Sequence, residues 1–200
     1  MGTLLRLLPP APALAEALGV DLETAERAFQ AEAAYYVAHH LEGSDPSSLG
    51  DLRKRSAAVL AAAAGVDPDS ALEALMGSLR FEAFDDAPPA LTELRARGLK
   101  LVVVSNWDCS LPEVLEHVGL LPLVDAVVTS AVVGAAKPDT RIFEAGLAAA
   151  ACDAGAAIHV GDSLENDVAG ARAAGIRPLL LARDGGGDLR TLAEVPALLS

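Results

Sequence analysis

Residues 158–168 read Ile158-His159-Val160-Gly161-Asp162-Ser163-Leu164-Glu165-Asn166-Asp167-Val168. A short apolar run passes into Gly-Asp, and a second aspartate follows about one helical turn later. The pattern predicts a buried strand that breaks into a helix, with Asp162 and Asp167 projecting toward one point at the strand's carboxyl end. Hard carboxylate oxygens without cysteine or histidine partners suit Mg²⁺. The same residues also serve local helix chemistry: Asp162 or Ser163 as an N-cap, Asp167 as a first-turn acid favoured by the helix dipole. The two readings are compatible.

Working outward, strands and helices alternate on both sides of this stretch. Helices are predicted over 88–97, 110–118, 138–150, 164–174 and 191–199. Strands are predicted over 99–104, 126–128, 156–160 and 177–181. Leu99 to Val104 is a valine-rich apolar run, as expected of a parallel strand covered on both faces. The alternation implies an α/β fold with a doubly wound parallel sheet. In such sheets a ligand sits at the carboxyl ends of the strands. Before Asp85-Asp86-Ala87-Pro88-Pro89 the rhythm is helical only: 11–19, then 22–41 with Leu22, Ala25, Phe29, Ala33, Tyr36 and His40 at helical spacing, then 47–64 and about 67–79. The expected organisation is residues 1–9 as a leading segment, 10–84 as a helical unit and 85–200 as the α/β core.

Composition removes several classes. The 200 residues carry 28 acids against 15 bases, a formal net charge of -13. No basic stripe is present, which argues against nucleic acid as a partner. No apolar run approaches the roughly 20 residues of a membrane-spanning helix. Cys109 and Cys152 match no metal or redox spacing and are expected to be free thiols in a reducing, cytoplasmic setting.

Two more strand ends carry chemistry. Val102-Val103-Val104 passes into Ser105-Asn106, a hydroxyl and an amide beside the N–H groups of the following turn, which together can hold an anionic oxygen; the same residue types also make ordinary caps. Lys137 precedes Pro138, which keeps it out of helical geometry and on the loop rim. There it can neutralise a phosphoryl group or restrain a carboxylate. Lys54 and Lys100 are the only other lysines.

Ser105-Asn106, Lys137-Pro138 and Gly161-Asp162-Ser163-Leu164-Glu165-Asn166-Asp167 occur in this order, each at a strand end. In this the chain resembles the haloacid dehalogenase (HAD) superfamily of hydrolases, whose motifs II, III and IV they match. The resemblance implies a Rossmann-like core with an inserted helical cap over 10–84. It implies covalent catalysis by an aspartate at the end of the first strand, assisted by Mg²⁺. On that resemblance Ser105, Asn106 and Trp107 contact the substrate, Lys137 bridges nucleophile and substrate, Asp162 holds the metal directly, and Asp167 holds it directly or through water. The expected substrate is a small phosphorylated metabolite.

The family's motif I, D-x-D-x-T, often followed by L, is represented by Gly2-Thr3-Leu4 alone. Thr3 takes the place of the motif's threonine, Met1 falls on the second aspartate, and the nucleophile belongs two places before Met1. The central strand that carries it is likewise missing from these 200 residues. Four buried side chains at about 1.5–3 kcal/mol each amount to about 6–12 kcal/mol, against a net stability of about 5–15 kcal/mol. That comparison favours a start placed too late over a protein that discarded the strand. The 200-residue chain is expected to lack hydrolase activity and to show a gap in its sheet. Because dehalogenases also lack the second aspartate, a 2-haloacid dehalogenase is an alternative. A non-catalytic binding protein of this fold is another.

Of the remaining polar residues, His39, His40 and His117 read as structural. His159 reads as a core or supporting histidine. Cys109 has no base nearby in sequence. Trp107 is expected either to gate the cleft or to pack beneath the cap. Tyr35 and Tyr36 face substrate only if their helix folds over the cleft.

Overall fold

The computed structural model describes residues 2–199. Met1, and with it the expectation placed on the second aspartate position, lies outside the described residues.

A two-stranded antiparallel ribbon, β1 (Leu5–Leu7) and β2 (Phe81–Ala83), brackets the helical half. Between its strands run α1 (Ala11–Leu18), α2 (Leu22–His39), a 3-10 turn (His40–Glu42), α3 (Pro46–Ala64) and α4 (Pro68–Ser78). Local chemistry fixes their starts. The side chains of Asp21, Asp45 and Asp67 accept the orphan N–H groups of α2, α3 and α4. Prolines 46 and 68 stand where no intrahelical N–H is needed. The helices pack through Leu14, Leu60 and Leu75, with Ala25, Ala28, Ala57 and Ala71 letting the backbones approach. The alanine-rich composition is thus used as close helix packing.

The second half contains α5 (Ala87–Ala96), β3 (Val102–Ser105), α6 (Leu111–His117), β4 (Ala126–Thr129), α7 (Ser130–Val133), α8 (Thr140–Ala150), β5 (Ile158–Gly161), a π-helical turn (Leu164–Ala169), α9 (Gly170–Ala173) and β6 (Arg177–Leu180). A final 3-10 segment covers Leu192–Leu199. β3 pairs with β4 in parallel, Val102 opposite Ala126 and Ser105 opposite Thr129. β5 pairs with β6 in parallel, Ile158 opposite Arg177 and Gly161 opposite Leu180. These are the parallel strands of the expected α/β core.

Two local readings need correction. The β1–β2 ribbon was not expected: strands of three residues are too short to show an alternating pattern. The single helix expected over 164–174 is instead a π-helical turn followed by α9. Both Asp167 and Val168 donate their N–H to the Ser163 carbonyl, at 2.9 and 3.1 Å, so the turn carries an extra residue. Gly170 then passes so close to the Phe143 ring that a Cβ would lie 2.6 Å from it. The gap expected in the sheet is observed: among the described residues β3 bonds only to β4, and β5 only to β6. Between the two pairs lies a cavity of about 550 Å³ lined by Val102, Val103, Val104, Ile158 and Val160. Among the described residues no helix is long and apolar enough to cross a membrane.

Candidate active site

The cavity reaches the carboxyl ends of β3 and β5, and Thr3, Ser105, Lys137, Asp162 and Asp167 line it there. Residues as far apart in sequence as Thr3 and Asp167 are thus brought to one place.

Lys137 is the most constrained of them. Its backbone N–H donates to Asn106 Oδ1 at 2.7 Å, and its carbonyl accepts from Asn106 Nδ2 at 3.0 Å. Its ammonium donates to Asp167 Oδ1 at 2.5 Å and to the Val104 carbonyl at 3.1 Å. Asn106 was expected to contact substrate. Its amide is instead engaged at both ends by the Lys137 backbone, so it positions the lysine.

Asp167 is also placed differently from its expected role. It is 4% exposed. Oδ1 accepts from Lys137 and faces His159 Nε2 at 2.9 Å, while Oδ2 accepts the Ser163 N–H at 3.0 Å. Burial opposes its ionisation, but the hydrogen bond with His159 and the nearby Lys137 charge outweigh burial and hold the carboxyl far below the usual carboxylate range. Asp167 thus faces the Lys137 ammonium and the His159 ring. Gly161 makes this inward placement possible, since a Cβ there would sit 2.2 Å from Asp167 Cγ.

Asp162 is exposed at the mouth. Its Oδ1 accepts the Thr3 hydroxyl at 2.6 Å, and Gly2 approaches so closely that a Cβ would lie 2.8 Å from Oδ2. Asp162 therefore presents an accessible hard oxygen donor, whereas both oxygens of Asp167 are engaged by Lys137, His159 and the Ser163 N–H. Among the described residues no three His, Cys, Asp or Glu side chains cluster as a metal cage.

Two further networks escaped the sequence reading. Arg183 donates to the Gly2 and Thr3 carbonyls at 3.1 and 2.8 Å and pairs doubly with Asp86 at 2.8 and 3.0 Å, its guanidinium 3.7 Å from the Phe84 ring centroid. Asp86 also accepts from the Thr191 hydroxyl and the Leu192 N–H. Burial works against its ionisation, yet the Arg183 and Thr191 hydrogen bonds bring its pKa to about 2. This network fixes the backbone that presents Thr3. The second joins the helical half to the site loop. Tyr36 donates to Asp108 Oδ2 at 2.8 Å, Asp108 Oδ1 accepts from the Ser110 N–H and hydroxyl, and the Cys109 N–H donates to the Gly43 carbonyl at 2.9 Å. Burial and the Asp108 charge push the Tyr36 hydroxyl far above its ordinary pKa. Neither network had a local signal, because its members are far apart in sequence. Trp107 is buried with its ring 5.2 Å from that of Phe81 and faces the cavity.

A family profile described as haloacid dehalogenase-like hydrolase matches residues 2–175. The chain belongs to the haloacid dehalogenase-like hydrolases. It is 43% identical over 102 residues to haloacid dehalogenase-like hydrolase domain-containing protein 3 of Bos taurus, a match covering 51% of this chain and 41% of that protein. It is 37% identical over 123 residues to phosphatase MT3486 of Mycobacterium tuberculosis, covering 59% of this chain and 56% of that protein. The chain thus spans about half the length of the curated relatives it matches. The crystal structure of a HAD phosphatase from Thermococcus onnurineus superposes with a TM-score of 0.67 at 25% identity, covering 100% of this chain and 94% of that one. Membership of this family agrees with the fold that the three sequence motifs imply.

Proposed function

We propose that this HAD-like hydrolase is a Mg²⁺-dependent phosphatase of small phosphorylated metabolites. The observation that carries this reading is the fixed Lys137 ammonium at the strand ends, beside the Ser105 hydroxyl and the exposed Asp162 carboxylate. A cation, a hydroxyl donor and a hard oxygen ligand are what a phosphoryl group requires. The names of the relatives from Mycobacterium tuberculosis and Thermococcus onnurineus support phosphate chemistry.

In this reading Ser105 donates to a phosphoryl oxygen and Lys137 offsets its charge. Asp162 holds Mg²⁺, oriented by Thr3. When bound, the metal neutralises charge on the phosphoryl oxygens. Asp167, His159 and Asn106 keep Lys137 in place, and Trp107 closes the apolar wall behind the site. Among the described residues the carboxylates lining the cavity are Asp162 and Asp167, and Asp167 is engaged by Lys137, His159 and the Ser163 N–H.

The test is phosphate release from a panel of phosphorylated metabolites, with Mg²⁺ and with EDTA. It is run on this chain and on a form extended upstream by about ten residues, enough for one strand. Mg²⁺-dependent release by the extended form, reduced about 10²–10³-fold by Lys137→Ala as for loss of one oxyanion donor, is the expected result. Halide release from a 2-haloacid, or no hydrolysis by the extended form, overturns the reading.

A further inference from the structure

Two chain segments lie between the helical half and the α/β half: residues 2–4, which lead into β1, and residues 84–86, which lead from β2 into α5. The ribbon holds them together as far as the Phe84 N–H, which donates to the Leu4 carbonyl at 3.0 Å. Beyond that point no backbone hydrogen bond joins the two segments among the described residues. Arg183 takes over there. It donates to the Gly2 and Thr3 carbonyls on one segment, at 3.1 and 2.8 Å, and to both oxygens of Asp86 on the other, at 2.8 and 3.0 Å. Its guanidinium lies over the Phe84 ring, 3.7 Å from the centroid. One side chain thus bonds to both segments and stacks on the residue at which they part.

Arg183 is itself tied to the site. It follows Leu181 and Ala182. The Leu181 N–H donates to the Gly161 carbonyl at 2.8 Å, the Ala182 N–H donates to the Leu189 carbonyl at 2.9 Å, and Gly161 immediately precedes Asp162. The Thr3 hydroxyl donates back to Asp162 Oδ1 at 2.6 Å. The contacts close a ring that runs from Asp162 through Gly161, Leu181, Arg183 and Thr3 to Asp162 again. Within it Arg183 grips Thr3 by the carbonyl and leaves the hydroxyl to the carboxylate. A lysine does not reproduce this, because its ammonium is a point charge on a flexible stem, whereas these four bonds leave the edges of a rigid planar fork.

We propose that Arg183 is the positioning residue of the junction between the halves. It sets how the helical half is seated on the α/β half and, through the Thr3 backbone, where the Thr3 hydroxyl meets Asp162. The seating of the helical half and the orientation of the Asp162 carboxylate are therefore coupled. The consequence for turnover rests on Asp162 as the Mg²⁺ ligand of the reading above. The placement does not, and the measurements below read placement alone, so a failed substrate panel and a failed junction are separate results.

Amide exchange is followed in the full chain and in Arg183→Met, which keeps an unbranched stem and donates nothing. The Phe84 amide should accelerate at least about ten-fold more than those of Leu60 in α3 and Leu147 in α8, one in each half, as expected where charge-assisted hydrogen bonds are lost locally. Urea unfolding then combines Arg183→Met with Thr3→Val. The valine keeps the carbonyl that Arg183 holds and removes the hydroxyl that Asp162 accepts, so the two changes share no hydrogen bond. Thr3→Val should lower the folding constant about five-fold or more in the wild-type background, and less than about two-fold beside Arg183→Met, where the hydroxyl is no longer held at Asp162. Arg183→Lys keeps the charge and serves where Arg183→Met folds poorly; it should still give the localised acceleration at Phe84. Uniform acceleration in both halves, additivity of the two substitutions, or full restoration by lysine overturns the proposal, because each makes Arg183 a general stabilising contact.

Discussion

Replacing Asp167 by Asn tests the reading of the site most directly. The carboxylate accepts three hydrogen bonds: Lys137 and His159 at Oδ1 and the Ser163 N–H at Oδ2. An amide has one acceptor atom. If its oxygen stays at Oδ1, its NH₂ opposes the Ser163 N–H; if it turns, its NH₂ opposes the Lys137 ammonium. Either way a donor faces a donor, and a lysine side chain only 12% exposed loses its counter-charge. Breaking a buried pair from one side costs about 3–5 kcal/mol. At about 2–4 °C per kcal/mol for a chain of this size, the midpoint should fall by about 6–20 °C. The assay is urea unfolding at pH 7, with the slope compared to confirm an unchanged native state. Replacing both partners, Lys137→Met with Asp167→Leu, should cost less than the sum of the single changes, with a coupling above about 1 kcal/mol. The pH dependence has a definite sign. A depressed carboxyl pKa contributes stability above the ordinary carboxylate range that is lost only at strongly acid pH. Asp167→Asn should therefore flatten that acid limb. A change under about 0.5 kcal/mol, or strict additivity with Lys137→Met, would refute the assignment of Asp167 as the anchor of Lys137.

Three further outcomes are expected. Asp86→Ala should cost about 2–3 kcal/mol, as for charge-assisted hydrogen bonds. Because the Asp86 pKa is depressed to about 2, its contribution is present above about pH 4 and fades toward pH 2, so wild type and variant should converge in acid unfolding curves. Gly161→Ala should destabilise by about 3 kcal/mol, the upper end of overpacking costs, and should shift the His159 ring resonances, because the new Cβ displaces Asp167. Tyr36→Phe, which leaves one oxygen of the buried Asp108 unpaired, should cost about 1–3 kcal/mol, and should raise hydrogen exchange at Cys109, whose N–H bonds across to Gly43; exchange unchanged there would separate the two contacts.

The α/β class was legible because buried parallel strands announce themselves as apolar runs, and the polar residues where β3 and β5 end mark the place where a ligand site forms. Ser105 and Asp162 were found for that reason; Lys137, which lies beyond α7 and not at the end of β4, was found because Pro138 keeps it on a loop rim. The particular duty of each residue was not legible. Asn106 and Asp167 belong to the same motifs but spend their polar atoms on Lys137, and only the approach of separate loops decides this. The π-helical turn that aims Asp167 inward leaves no periodicity to read over six residues. The Arg183–Asp86 pair spans 97 positions, beyond any local pattern. Trp107 follows the Ser105-Asn106 motif, yet its ring packs against Phe81 from the β1–β2 ribbon, an element too short to foresee.

These contacts also explain why the site is ordered where the sheet is divided. No ladder connects β3 to β5 among the described residues, yet the Lys137 ammonium touches both sides, the Val104 carbonyl on β3 and the Asp167 carboxylate just after β5. Asn106 ties the lysine backbone to the β3 side, and His159 ties Asp167 to β5 itself. The charge that can meet a phosphoryl group is thus also the joint between the two pairs at their carboxyl ends. Arg183 does the same for the mouth, binding the Gly2 and Thr3 carbonyls to Asp86 ahead of α5. Backbone pairing holds each pair of strands together, and side-chain charge holds the pairs to one another. Substitutions at Lys137 or Asp167 therefore act on the fold and on the chemistry together, and stability must be measured beside activity before a loss of turnover is assigned to either.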